Sequence, residues 1–296
     1  MTHSSPEMKF AQCAVGSQAR AWFIAEEDDQ FRLLQLKDGK WAARSPEWPI
    51  GSICGSDEPG KGFEVIGLGI DGELLIGTPG KFIETHLDPL SRGPDRYGVL
   101  REVRRVGEDV FAAGMSRQVY RRRAGVWSDV AGPIRESGPG AIGFNSIHGA
   151  STNAVFAVGF GGEVWFFDGS CWIQLDSPTS VALNRVLALQ SGHVLICGAG
   201  GVLLQGKPDA LATIKNEVTK ENLYGMTEFK GRIFLSSAKS LFVLGQDGLE
   251  KQDTGLDGPL TFGNLEAQED VIWSVGARHL LRSFDGVVWE QVFCQI

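Results

Sequence analysis

The amino-acid sequence predicts an all-β fold, a seven-bladed β-propeller of four-stranded antiparallel blades. The first observation behind this prediction is a repeat, in which short apolar strands that finish at glycine or serine recur every 39 residues. A strand-rich repeat of about 40 residues is typical of propeller blades. These copies finish at Gly159, Gly198, Ser237 and Gly276, and an earlier copy finishes at Gly114.

A second marker keeps the same register. In three copies a tryptophan follows the strand-ending glycine by 13 residues. Because two independent markers share one offset, we expect these tryptophans to hold equivalent places and to pack between blades. They are Trp127, Trp172 and Trp289.

Each unit is predicted to contain an inner strand, an apolar strand, an amphipathic strand and an outer strand. The best copy has strands at 145–148, 154–159, 163–167 and 172–175, with Asp168-Gly169 as a tight turn between the last two. We expect one propeller domain over residues 1–296. Its blades are expected at about 8–45, 50–90, 98–134, 142–178, 180–216, 219–255 and 259–296.

The first two units are the least regular. Gly77 lies 52 residues after its expected counterpart near Ala25, and we assign the excess to a surface loop over Ser45–Gly60. A six-bladed ring stays open as an alternative. One turn of helix is possible at 209–219 and at 84–95.

Closure of the ring is a separate question. The chain is predicted to begin with an inner strand at Phe10–Val15 and to finish with an outer strand at Trp289–Cys294. No strand is then shared between the first and last blades. We therefore expect packing between blades to close the ring, unless residues 1–7 add a strand.

Composition limits the class of protein. The net charge of −8 disfavours non-specific binding to nucleic acid or to anionic membranes and suits a basic partner. The five cysteines show no CxxC spacing, so neither a zinc site nor a disulfide framework is expected. No signal peptide or apolar membrane span is visible, and we expect a cytoplasmic protein.

The segments Ala157-Val158-Gly159, Asp168-Gly169 and Trp172 together resemble bacterial propellers of the photosystem-assembly-factor and BNR (Asp-box) type. Ser283–Trp289 is the best match to their Asp-box. The resemblance covers about residues 100–296 and is one of fold. It implies that Asp168 and Asp285 are turn residues whose carboxylates brace backbone amides.

Catalytic patterns are not convincing. A sialidase-like hydrolase would need an Arg-Ile-Pro segment, which is missing, and an activated tyrosine, for which Tyr97, Tyr120 and Tyr224 are the only candidates. Two G-x4-G-K segments precede Pro208 and Gly62 rather than Ser or Thr, so neither is a phosphate loop. The histidines are scattered, although His148 could face the central channel. We expect no cofactor and no metal.

Candidate contact residues are therefore sought on the surface. Trp48 precedes a proline in the irregular segment, and exposed loop aromatics are good interface anchors. Acidic residues near it could form a rim that steers a basic protein, if their loops share a face. These acidic residues are Glu26, Glu27, Asp28, Asp29, Asp57 and Glu58.

Arginines cluster in the third unit. They could form an anion-binding patch or simply a solvated blade edge that discourages edge pairing. The candidates for the patch are Arg104, Arg105, Arg121, Arg122 and Arg123, with Arg101 and Arg117 nearby.

The sequence favours a non-enzymatic propeller that binds another protein. It could be an immunity-type inhibitor of a basic toxin or an assembly factor that holds a client. The alternative is a carbohydrate-binding or glycoside-hydrolysing propeller with its ligand in the central channel. A nucleic-acid binder that uses the arginine cluster is disfavoured by the net charge.

Overall fold

The computed structural model describes residues 8–58, 60, 62–87, 93–131, 134 and 142–296. Within them, 28 strands form seven four-stranded antiparallel sheets, each made of consecutive strands. The seven-bladed propeller is thereby confirmed, and the six-bladed alternative is wrong.

The strands of the first three blades are β1 (Lys9–Ser17), β2 (Arg20–Glu27), β3 (Gln30–Lys37), β4 (Lys40–Arg44), β5 (Ile50–Glu58), β6 (Gly62–Gly69), β7 (Glu73–Thr78), β8 (Lys81–His86), β9 (Leu100–Val106), β10 (Asp109–Gly114), β11 (Val119–Arg123) and β12 (Val126–Asp129). Blades four and five contain β13 (Phe144–Ser151), β14 (Ala154–Gly159), β15 (Val164–Phe167), β16 (Trp172–Leu175), β17 (Leu183–Ala188), β18 (Val194–Gly198), β19 (Leu203–Lys207) and β20 (Ala210–Thr213). Blades six and seven contain β21 (Gly225–Phe229), β22 (Arg232–Ser236), β23 (Leu241–Gly245), β24 (Gly248–Gln252), β25 (Gly263–Gln268), β26 (Val271–Gly276), β27 (Leu280–Ser283) and β28 (Trp289–Val292).

The first strand of each blade is the inner strand, and it contacts the first strands of both neighbouring blades around the ring. The ring therefore has two faces. We call the face where the inner strands end the hairpin face, because it carries the turns between the first and second and between the third and fourth strands of each blade. The opposite face, which carries the turns between second and third strands and the segments between blades, is called the loop face.

The hydrophobic core lies between blades rather than within a single sheet. One cluster joins Phe111 of the third blade to Phe144 and Phe167 of the fourth, and Trp172 packs against it. The Trp172 indole also donates a hydrogen bond to the Val130 carbonyl of the preceding blade, at 3.0 Å. Trp127 and Trp289 occupy comparable clusters at other blade junctions, which confirms the inter-blade packing predicted for the three tryptophans.

Packing between the first and last blades closes the ring. Phe23 of β2 meets Trp273 of β26 edge to face, with ring centroids 5.0 Å apart. The Phe10 amide donates a hydrogen bond to the Ala277 carbonyl at 3.0 Å, and the Cys13 amide donates one to Asn264 Oδ1 at 3.0 Å. The first blade contains only β1–β4 and the seventh only β25–β28. Any strand from residues 1–7 would lie outside the described residues.

The expectation of a surface loop over Ser45–Gly60 is wrong, because most of it is the inner strand β5. Gly55 allows this strand to pack closely against the first blade, because a Cβ at this position would lie 3.1 Å from the Trp22 ring. The loop was predicted in the wrong place because Gly77 was aligned with glycines such as Gly114 that end second strands. Gly77 lies instead in β7, the third strand of its blade. The true counterpart of Gly114 is Gly69, 45 residues earlier.

Helix is scarce among the described residues. The expected turn near 84–95 corresponds to one short helix, α1 (Gly93–Tyr97), placed later than predicted. The expected turn at 209–219 is wrong, because Ala210–Thr213 forms the outer strand β20 and the residues after it are not helical. Within the same residues, no helix is long and apolar enough to cross a membrane.

Candidate functional site

The central channel opens on the hairpin face into a cavity of about 570 Å³. All seven blades contribute to its lining, because the inner strands converge there. The residues used below are Cys13, Cys54, Asp57, Arg104, His148 and Glu266.

A network of ion pairs crosses the channel from one blade to another. Arg185 on β17 pairs with Glu102 on β9 and with Glu266 on β25, and Glu266 pairs in turn with Arg104. Burial opposes the charge on Arg104, but Glu266 and Glu102 outweigh it and raise the pKa of its guanidinium. The two carboxylates of this network, Glu102 and Glu266, are therefore neutralised within the protein.

Burial favours the neutral form of three further groups in the channel, His148, Cys13 and Cys54. Burial, helped by Arg104 and Arg185, lowers the pKa of His148 well below its ordinary value. Its Nδ1 accepts a hydrogen bond from the Ala188 amide at 2.9 Å, so this histidine faces the channel as predicted but braces the neighbouring blade. Burial raises the pKa of Cys54 to about 12 and that of Cys13 well above its ordinary value.

The described channel lining lacks the aromatic rings that a sugar site requires. It contains no Trp, Tyr or Phe. Glu266 is bound by two arginines, whereas Glu228 and Glu269 line the cavity without an ion pair to another described residue. Among the residues that the structure describes, no three His, Cys, Asp or Glu side chains come together as metal ligands.

The acidic residues proposed for one rim lie on opposite faces. The turn after β2 carries Asp28 and Asp29 on the loop face, where Glu26 pairs in register with Lys9 at the start of β1. Asp57 lies beside the far end of β1, on the hairpin face, and pairs with Arg20 at 2.7 Å. The condition of a shared face is therefore not met. Glu27 pairs with Arg32 at 2.6 Å, and the side chain of Glu58 lies outside the description.

Trp48 lies on the loop face in the segment between β4 and β5. It is half-buried and packs against the cluster between the first two blades. Its indole N–H donates a hydrogen bond to Glu84 Oε2 on β8, at 3.1 Å. These two contacts attach the segment to the second blade and leave only part of the Trp48 ring exposed.

The arginines of the third blade are paired with carboxylates. Arg105 and Arg122 share Glu64, and the paired guanidinium groups hold the pKa of Glu64 below its usual value despite its partial burial. Arg121 and Arg123 share Asp109. Together with the Arg104–Glu266 pair, these contacts give every one of the five members of the predicted anion patch a carboxylate partner, but five arginines share three carboxylates and the cluster keeps a net positive charge. The cluster is also not a solvated blade edge, because three of its side chains are only 11–22% exposed: Arg105, Arg121 and Arg122.

The turns of the hairpin face carry mainly negative charge. The described turn residues include eight carboxylates and one basic side chain, Lys230, with Pro59 and Lys61 outside the description. The described turns and segments between blades on the loop face carry eleven carboxylates and six basic side chains, so charge of both signs is mixed more evenly there. The eight carboxylates are Asp38, Glu108, Asp168, Asp209, Asp247, Glu269, Asp270 and Asp285.

Sequence reasoning missed this surface, although it noted several of the Asp-Gly turns. A turn that occupies the same place in each blade must lie on the same face of the ring every time. The repeated Asp-Gly turns were therefore a sequence signal from which this acidic surface could have been predicted. The bracing implied by the resemblance is confirmed: Asp285 Oδ1 accepts hydrogen bonds from the Val287 and Val288 amides at 2.7 and 2.8 Å. Asp168 does the same for Ser170 and Cys171. These amide bonds lower the pKa of both carboxyls, which keeps them charged at neutral pH.

Comparison with known proteins adds a relative. No protein-family model matches the chain. The immune protein Tsi7 of Pseudomonas aeruginosa is 31% identical to it over 264 residues, which is 83% of this chain and 86% of the relative.

Solved propellers share the fold. YCF48 from Cyanidioschyzon merolae matches with a TM-score of 0.69 and 13% identity, over 95% of this chain and 96% of that one. The WD40 propeller domain of Doa1 matches with a TM-score of 0.69 and 11% identity, over 94% and 93%. These likenesses confirm, for the fold alone, the resemblance to photosystem-assembly-factor propellers.

Proposed function

Because the chain belongs to the family of the immune protein Tsi7, we propose that it is an immunity protein, a non-enzymatic propeller that binds and neutralises a basic protein toxin. The observation that carries this proposal is the 31% identity, which extends over 83% of the chain and 86% of the relative. The shared region is thus most of the ring and not one blade.

The chemistry of the described residues supports a binding role. Glu102 and Glu266 in the channel are engaged by arginines and no aromatic ring lines the described cavity, so the stacking surface expected of the carbohydrate alternative is missing from it. The turns are pinned by side-chain hydrogen bonds, and a rigid surface loses little conformational entropy on docking. A net charge of −8 suits a basic partner.

A cytoplasmic location belongs to the same proposal. All five cysteines are free, and Cys13, Cys54 and Cys197 are buried thiols. Unpaired thiols suit a reducing compartment.

The proposal is tested by co-expression with the protein encoded by the neighbouring reading frame. We expect that protein to stop bacterial growth alone and this chain to restore growth. The two should also form a complex that buries more than about 1,000 Å². The Doa1 propeller, expressed in place of this chain, controls for the fold. A harmless neighbour, or a toxin that kills equally beside either propeller, would contradict the proposal.

A further inference from the structure

The hairpin between β27 and β28 differs from its equivalents in the other blades. It is five residues long, Phe284 to Val288, whereas five of the other blades use two-residue turns at this place. Its apolar side chains point outward: the exposed fractions are 36% for Phe284, 57% for Val287 and 71% for Val288. We call Phe284, Val287 and Val288 the apolar wedge.

The wedge is held in one conformation. Asp285 binds the Val287 and Val288 amides, and Ser283 Oγ accepts a hydrogen bond from the Gly286 amide at 2.8 Å. Arg232 of the sixth blade donates to the Gly286 carbonyl at 3.2 Å. Three exposed apolar side chains on a pinned turn are available to a partner at little entropic cost.

A groove of about 200 Å³ lies beside the wedge at the seam between the seventh and first blades. The seventh blade contributes Phe284 and the buried Trp273, and the first blade contributes Leu36 and Asp38. The Arg282 guanidinium lies 5.1 and 5.6 Å from the ring centroids of Phe284 and Trp273. The two arginines in the groove are already paired, Arg20 with Asp57 and Arg282 with Glu290. Asp38 forms no ion pair with another described residue, so the groove offers apolar walls and one available carboxylate.

These contacts suggest what the groove can accept. The aliphatic stem of a lysine or arginine would pack on Phe284 and Leu36, while its charged head would reach Asp38. The hairpin-face turns of the first and seventh blades, which border the groove, carry Asp38, Glu269, Asp270 and Asp285, and these carboxylates favour a positively charged partner over a neutral or acidic one.

We propose that the apolar wedge and the adjoining seam groove on the hairpin face dock the toxin, through a lysine or arginine flanked by an apolar side chain on the toxin's surface. This inference rests on the proposed immunity function and names the face and the partner chemistry. It also replaces the loop-face residues Glu26, Asp28 and Trp48 as the centre of the interface.

The experiment measures binding of the purified neighbouring toxin to four single variants. Asp38→Asn removes one charge and keeps the tight turn, because Asn-Gly suits the positive φ of 48° at this position. Asp28→Asn makes the same change on the loop face, at a φ of 50°. Val288→Arg places a like charge on the wedge, and Val218→Arg, at a loop-face valine that is 49% exposed, is its control.

We expect Asp38→Asn and Val288→Arg each to raise the dissociation constant by about tenfold or more, and both controls to stay within about twofold of the wild type. Thermal unfolding of each free variant checks that the ring is intact. If the wild type binds but only the loop-face variants lose affinity, the docking inference is overturned while the immunity function stands. If the wild type neither binds nor neutralises the toxin, the proposed function itself fails.

Discussion

At the scale of single residues, one carboxylate holds a turn and also controls a thiol. Asp168 accepts two backbone amides through Oδ1, and Cys171 Sγ donates to its Oδ2 at 3.5 Å. That hydrogen bond raises the pKa of the exposed Cys171 thiol. Burial raises the pKa of Cys197 to about 12 and that of the half-buried Cys294 to about 11.

The five cysteines of the native protein should therefore react with a thiol reagent at different rates and in a fixed order. We expect a disulfide reagent to modify Cys171 first and Cys294 more slowly, while Cys13, Cys54 and Cys197 react only after unfolding. Asp168→Asn removes the charge that favours the protonated thiol, so the pH–rate curve of Cys171 should move to lower pH. Cys171→Ser serves as the blank. An unchanged curve in Asp168→Asn would contradict this account of the thiol.

At the scale of structural elements, the inner strands are tied by charge as well as by apolar packing. Arg185 on β17 reaches Glu102 on β9 and Glu266 on β25, so one side chain connects three blades. Glu102 also accepts a hydrogen bond from the Ile147 amide at 2.6 Å. Removing one member of a buried ion pair leaves an uncompensated charge away from water.

Loss of Arg185 should therefore be costly. We expect Arg185→Met to lower the free energy of unfolding by about 3–5 kcal/mol, measured by urea denaturation. Lys215→Met is the matched control, because the Lys215–Glu217 pair is almost fully exposed and should change stability by less than about 1 kcal/mol. The double variant Glu102→Gln/Arg185→Met should lose less than the sum of its parts. Equal losses in Arg185→Met and Lys215→Met would show that the channel network does not stabilise the ring.

At the scale of the whole molecule, the described residues close the ring without a shared strand. Each of their blades is complete within one continuous segment, and Met8 and Cys294 both pack at the same seam, against the cluster that contains Phe23 and Trp273. The stability of the ring should then depend little on where in the sequence the chain termini are placed. Loss of a whole blade, by contrast, would expose two inter-blade cores at once.

A circular permutant tests this closure. Joining residue 296 to residue 8 by a short glycine-serine linker and opening the chain at the exposed Gly258 keeps all seven blades. We expect the permutant to unfold cooperatively, with a free energy within about 1 kcal/mol of the parent. Deletion of residues 259–296 should prevent folding, as judged by circular dichroism and solubility. A folded deletion variant beside an unfolded permutant would contradict closure by packing alone.

The sequence by itself determined the propeller fold, the order of strands within a blade and the role of the repeated tryptophans and Asp-Gly turns, while the choice of seven blades over six needed the structure. These features follow from strand periodicity and turn chemistry, which are local and recur at a fixed spacing. The inner strand β5 escaped recognition because Gly77 was aligned with the wrong strand, and because the glycines and serines of β5, of which Gly55 packs closely on Trp22 of the neighbouring blade, are typical of loops. Only the tertiary structure decided that Asp57 and Asp28 lie on opposite faces, and that the arginines of the third blade are paired. Partners such as Arg104 and Glu266 are 162 residues apart and meet only when the ring closes, so no local pattern could reveal them.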